Sequence, residues 1–118
     1  FLYLRTEYLF AFESTLHWEN GKVRGVTGPI ELIHIRGEGR LALVGADKLR
    51  KVRLVPERQA YVAERELVGW MGRVSPQTLP RGTEAPEDAV LKPMLRCEGE
   101  GVILVRSTER PNGVVRED

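Results

Sequence analysis

Ile30-Glu-Leu-Ile-His-Ile-Arg36, then Gly37-Glu-Gly39, then Arg40-Leu-Ala-Leu-Val44 is the stretch that decides the fold. Its first arm alternates, with Ile33 and Ile35 on one face, which is the period of a strand rather than a helix. Its second arm alternates again, with Leu41 and Leu43 together. Gly37 and Gly39 interrupt the two arms, and paired glycines suit a bend or bulge where a sheet turns a corner. The pattern returns 62 residues later as Gly99-Glu-Gly101 running into Val102-Ile-Leu-Val105, with Leu95 and Cys97 standing where Ile33 and Ile35 stood. The expectation is strand, sharp bend and strand, written twice. A phosphate loop is not read here, because no third glycine, no helix and no Lys-Ser/Thr pair follows.

Working outward, the same period persists. Phe1-Leu-Tyr-Leu4 and Tyr8-Leu-Phe-Ala-Phe12 are short apolar runs. Thr15 to Glu19 reads as a strand, and Asn20-Gly21 as a hairpin turn, since both residues accept positive φ. Lys22 to Arg24 then returns antiparallel. Leu49 to Val55 alternates with Leu49, Lys51, Arg53 and Val55 on one face. Gln59 to Ala63 and Leu67 to Met71 read as a pair joined across a charged Glu64-Arg65-Glu66 tip. Ser75 to Pro93 holds four prolines and reads as a long loop, with one helical turn over Pro86–Leu91. Met94–Cys97 and Val102–Ser107 close the core, and residues 108–118 read as a tail. No segment sustains helical apolar spacing. The fold class expected is all-β: one antiparallel sandwich or distorted barrel over residues 1–107, resembling a double-stranded β-helix and built from two related halves.

Composition narrows the function. The 118 residues are 42% hydrophobic and 30% charged with a net charge of +1, which fits a folded globular chain rather than a disordered one. A single cysteine excludes a disulfide framework and a multi-cysteine zinc site. No apolar run nears the ~18 residues of a membrane helix, and no signal peptide is visible, so a cytoplasmic location without membrane attachment is expected. The chain opens on Phe1 rather than methionine, so a fragment or a trimmed chain is expected. Asn, Gln, Met and Cys are few, as in heat-adapted chains.

The candidates for chemistry are thin. His34 and Arg36 occupy the places of a His-x-His strand pair, so the second metal ligand is missing. Cys97 lies in a core strand, where thiols are inert. Ser14, Ser75 and Ser107 sit in no nucleophile pattern. Glu38 and Glu100 are placed to cap the two bends by accepting backbone N–H groups. No catalytic residue, metal or cofactor is therefore expected. Arg50, Lys51, Arg53 and Arg58 form the densest basic stretch and are the candidates for nucleic-acid contact, although alternation splits them over two faces. Leu67-Val-Gly-Trp-Met71 is apolar on both faces. Such a strand is either central between two layers or covered by another subunit, so Leu67, Trp70 and Met71 are the candidate interface, and Trp18 is placed to pack across its hairpin.

Phe1-Leu-Tyr-Leu-Arg with Phe10-Ala-Phe-Glu, Leu32 through Gly37-Glu-Gly39 into Leu41-Ala-Leu43, Val52-Arg-Leu-Val-Pro56 into Tyr61-Val-Ala63, Leu67-Val-Gly-Trp70 and the second Gly99-Glu-Gly101 together resemble the altered-inheritance-of-mitochondria (mitochondrial biogenesis) family and its bacterial members. The resemblance spans about residues 1–107. The chain departs from the family at Glu57, where a glycine usually follows the proline. It also has about half the common family length, as one half of that arrangement would. The resemblance implies a fold similar to the tryptophan RNA-binding attenuation protein and a tendency to self-associate, and it carries over no catalytic residue. The function expected is a non-enzymatic structural or interaction module. It would form a homo-oligomer through β-faces and offer the 75–93 loop to a protein partner. A nucleic-acid binder and a cupin-like, metal-free small-molecule binder are the alternatives.

Overall fold

The computed structural model describes residues 1–79 and 93–106. The helical turn read at Pro86–Leu91 and the tail at 108–118 lie outside them. The strands are β1 (Leu2–Arg5), β2 (Leu9–Phe12), β3 (His17–Arg24), β4 (Pro29–Arg36), β5 (Leu41–Leu43), β6 (Leu49–Leu54), β7 (Ala60–Ala63), β8 (Leu67–Thr78) and β9 (Met94–Arg106). Short 3-10 turns at Thr6–Tyr8 and Glu64–Glu66 join β1 to β2 and β7 to β8. Every pairing is antiparallel. The large sheet runs β3-β4-β1-β8-β9-β6, with β7 also on β9, and β2 pairs β5 in a small sheet. This is the all-β sandwich that the alternation predicts.

Alternation gives the large sheet two apolar faces. On one, Leu4, Ile33, Ile35, Val68 and Leu104 are covered by Leu9, Phe12, Leu41 and Leu43 of the small sheet. On the other, Ile30 and Leu32 of β4 meet Trp70, Leu95, Cys97 and Ile103, together with Leu54 of β6 and Ala60 of β7. Strands from opposite sides of the sheet share that cluster, so the sheet is curled over its own face. Each fully buried side chain of this size contributes roughly 1.5–3 kcal/mol, so the double burial of β8 is a large part of the core.

The two related halves are more complete than the glycine echo alone suggests. Leu2↔Ile35 and Leu4↔Ile33 of β1–β4 recur as Ala60↔Cys97 and Val62↔Leu95 of β7–β9. Leu9↔Leu43 and Phe12↔Leu41 recur as Leu67↔Val105 and Trp70↔Ile103, each with an irregularity one residue into the strand. His17↔Arg36 and Asn20↔Ile33 recur as Ser75↔Glu98 and Thr78↔Leu95. The residues leading into the 3-10 turns share a conformation, φ −63° and ψ 129° at Arg5 against φ −65° and ψ 132° at Ala63. The long hairpin β8–β9 is thus the unbroken counterpart of β2 plus β3 facing β4 plus β5. The first copy snaps at its glycine bend, which frees β2–β5 to fold over as the small sheet. The second copy only bends, at Gly72 and Gly99, both with positive φ.

Three local expectations are overturned. Asn20-Gly21 is not a turn, because β3 runs straight through it at the exposed sheet edge. The reversal comes at Gly25–Gly28, closed by the Gly25 N–H donating to the Gly28 carbonyl at 2.9 Å. A tertiary partner, Glu64, holds that turn, and local turn preference cannot compete with it. Glu64–Glu66 is not a hairpin tip: β7 and β8 lie on opposite sides of β9 rather than pairing. The 3-10 turn carries the chain onward without reversing it. Ser75 to Thr78, read as the start of a loop, continues β8 against Glu98–Leu95.

Candidate functional site

Two surfaces stand out, and both follow from strand register. Tyr3 lies between His34 on β4 and Trp70 on β8 in one row across the sheet. The Tyr3 ring stacks on His34 with centroids 4.3 Å apart and on Trp70 at 5.5 Å, while Phe1 meets His34 edge-on at 5.4 Å. This aromatic row floors a cleft of about 940 Å³ at the open end of the curled face, with Val23, Leu32, Pro56 and Val74 along its walls. The His34 Nε2 is buried there without a hydrogen-bond partner. Lys22, Arg73 and Glu98 also line the cleft, and an unmet ring nitrogen there marks a place where a ligand would gain a polar contact.

The second surface is the outer face of the small sheet. Leu9, Phe12, Leu41 and Leu43 point into the core, so Phe10, Ala42 and Val44 point out. Phe10 is 73% exposed and Val44 49% exposed. Their counterparts in the second half are Val68, Leu104 and Arg106. Val68 is 0% and Leu104 5% exposed, because the small sheet covers them. One face of the duplicated unit is therefore covered in one copy and bare in the other.

The predicted interface fares differently at its three residues. Leu67 is fully buried and Trp70 nearly so within the chain, and Met71 is half-buried against the small-sheet core. The doubly apolar strand is central between two layers, which corrects the reading of Leu67 and Trp70 as a contact surface. Alternation shows apolarity on both faces but cannot show which layer covers each. Trp18 is half-exposed and packs edge-on against Phe12 at 6.5 Å instead of spanning a hairpin.

Among the basic candidates, Lys51 and Arg53 leave β6 on its exposed side, Arg50 points to the opposite face beside Val52, and Arg58 sits in the turn after Val55. The structure does not gather them into one stripe. Gly37 and Gly99 mark the two bends with φ of 105° and 119°, and Gly39 and Gly101 complete the pairs. Glu38 and Glu100 are exposed and make no side-chain hydrogen bond among the described residues. The capping role at the first bend falls to Glu13, whose carboxylate accepts the Arg40 N–H at 2.6 Å. Burial pushes the Cys97 thiol up to about 12, so it stays protonated and packs as an apolar group.

Among the described residues, no three of His, Cys, Asp and Glu gather where they could hold a metal, and no helix is long and apolar enough to cross a membrane. Glu64 is the residue that sequence reading missed. It is buried, and its carboxylate accepts the Val26 N–H at 2.6 Å and the Thr27 hydroxyl at 3.0 Å. The Arg5 guanidinium donates to its backbone carbonyl. Its only sequence signal was an acidic residue next to a strand end, which ordinarily means solvent.

Comparison with protein-family models, with curated proteins and with solved structures finds no match to this chain.

Proposed function

We propose that the chain is a non-enzymatic structural and interaction module that self-associates through its β-surfaces. The observation that carries this reading is the bare apolar outer face of the small sheet. Exposed apolar faces of this kind mark association sites, and the same face in the second half is buried. Light scattering on a sizing column tests it. The wild-type chain should run as a multimer across a hundredfold dilution range. Phe10→Glu should shift it toward the 13.4 kDa monomer, because a charge placed in an apolar interface must be desolvated. A wild-type chain that is monomeric throughout overturns the reading.

A second reading, small-molecule binding, is favoured by the aromatic cleft and the unpartnered His34 Nε2. Its volume lies within the about 300–1,000 Å³ range of ligand sites. A ligand selective for the folded state raises the melting temperature. Quinoline, a planar heteroaromatic probe, should do so for the wild type. Val23→Trp, which fills the cleft from the edge strand, should cancel the shift. An unchanged melting curve for the wild type counts against this reading.

A further inference from the structure

Inside the chain the two halves meet in one defined way. β1 of the first half adds to the outer edge of β8, with Tyr3↔Trp70 and Leu4↔Gly69. The small sheet then folds over the face bearing Val68 and Leu104. Because the halves are copies, each side of this junction has a counterpart elsewhere. The counterpart of β1 is β7, which among the described residues pairs with β9 alone, its other edge unpaired. The counterpart of the β8 edge is β2, which among the described residues pairs with β5 alone.

The free edges also differ in charge. β3 carries Glu19, Lys22 and Arg24, and β6 carries Arg50, Lys51 and Arg53. Charged edges of that kind block strand addition. β7 reads Ala-Tyr-Val-Ala and β2 reads Leu-Phe-Ala-Phe, with no charge on either. Uncharged edges have no such protection. The outer edge of β5, Leu-Ala-Leu, is a third such edge among the described residues, but only β7 and β2 are the counterparts of the two sides of the internal junction.

We propose that a second copy of this chain repeats the internal junction in trans, its β7 edge adding to the β2 edge in the register Tyr61↔Phe12 and Val62↔Ala11. The contact is head to tail, so each copy offers one edge of each kind, and the assembly either closes into a ring or continues as a filament. One difference between the copies sets its spacing. A Cβ at Gly69 would overlap the Tyr3 carbonyl, and Ala11 stands at the matching place in β2. The junction in trans is therefore wider than the internal one by the room that this Cβ needs. The proposal rests on the self-association reading and specifies its geometry.

Cysteine cross-linking tests it, with Cys97→Ser as the background. One protein carries Ala11→Cys and another carries Val62→Cys. Mixed and mildly oxidised, they should form a disulfide-linked dimer that neither forms alone, and a chain with both changes should give a ladder. Self-linking of the Ala11→Cys protein alone would mean a two-fold, face-to-face contact and would overturn the head-to-tail geometry. A multimeric mass in the cysteine variants without any cross-link overturns the register and leaves self-association standing. A monomeric wild type overturns both. Circular dichroism melts of the single-cysteine proteins show that each is folded before mixing.

Discussion

Replacing Gly99 with alanine is expected to cost roughly 3–5 kcal/mol, by combining strain at a glycine-only backbone conformation with overpacking. Gly99 has φ +119°, and a Cβ there would overlap the carbonyl oxygen of Arg73 on the neighbouring strand. The two strands cannot separate to make room without breaking the β8–β9 ladder on both sides of the bend. Gly37 provides the internal control. Its φ is +105°, but the nearest atom to an added Cβ is the Thr15 carbonyl oxygen at 3.3 Å. Gly37→Ala should therefore lose only the backbone part, about 1–3 kcal/mol. Urea unfolding of both variants checks the difference. Equal midpoints would mean that the second bend relaxes as easily as the first, and that the close approach of β8 to β9 is not a constraint.

Glu64→Ala should lower stability by roughly 2–3 kcal/mol, since hydrogen bonds to a charged group are the strong ones and an orphaned donor adds its own cost. The side chain joins the β3–β4 turn to the 3-10 turn after β7 by two hydrogen bonds. For a domain of this size that is a melting-point drop on the order of 10–20 °C. Glu64→Gln keeps one acceptor oxygen and should recover part of the loss. The readout that separates tethering from general damage is hydrogen exchange. The Val26 amide should exchange much faster in Glu64→Ala while amides of β9 keep their relative order. An unchanged Val26 exchange rate would refute the tether.

How far the sequence could be read follows from where each determinant lies. Strand positions and the two glycine bends were legible because alternation and glycine chemistry are local. Residues 37–39 and 99–101 report their own backbone. The duplication was half-legible: the glycine echo shows, but β7 and β1 share little beyond Tyr61 and Tyr3, so only register reveals the match. Asn20-Gly21 misled because an edge strand tolerates those residues while Glu64, distant in sequence, stabilises the turn at Gly25–Gly28. Leu67 and Trp70 misled because their apolar surroundings come from β1, β4 and the small sheet. The cleft was hidden for a similar reason, since Tyr3, His34 and Trp70 are neighbours only through pairing.

The position of β1 has a consequence for biosynthesis. It is made before the other described strands, yet it lies between β4 and β8, and its pairing through Leu2↔Met71 and Tyr3↔Trp70 waits for the second half. At about 5–20 residues per second, an apolar strand with an open edge stays unmatched for several seconds on the ribosome. Closing so long a loop is slow, and unpaired edges in that interval invite the wrong neighbour. Nascent chains crowded on one message would meet each other with the same surfaces that complete the fold, which makes the supply of a folding chaperone a determinant of yield.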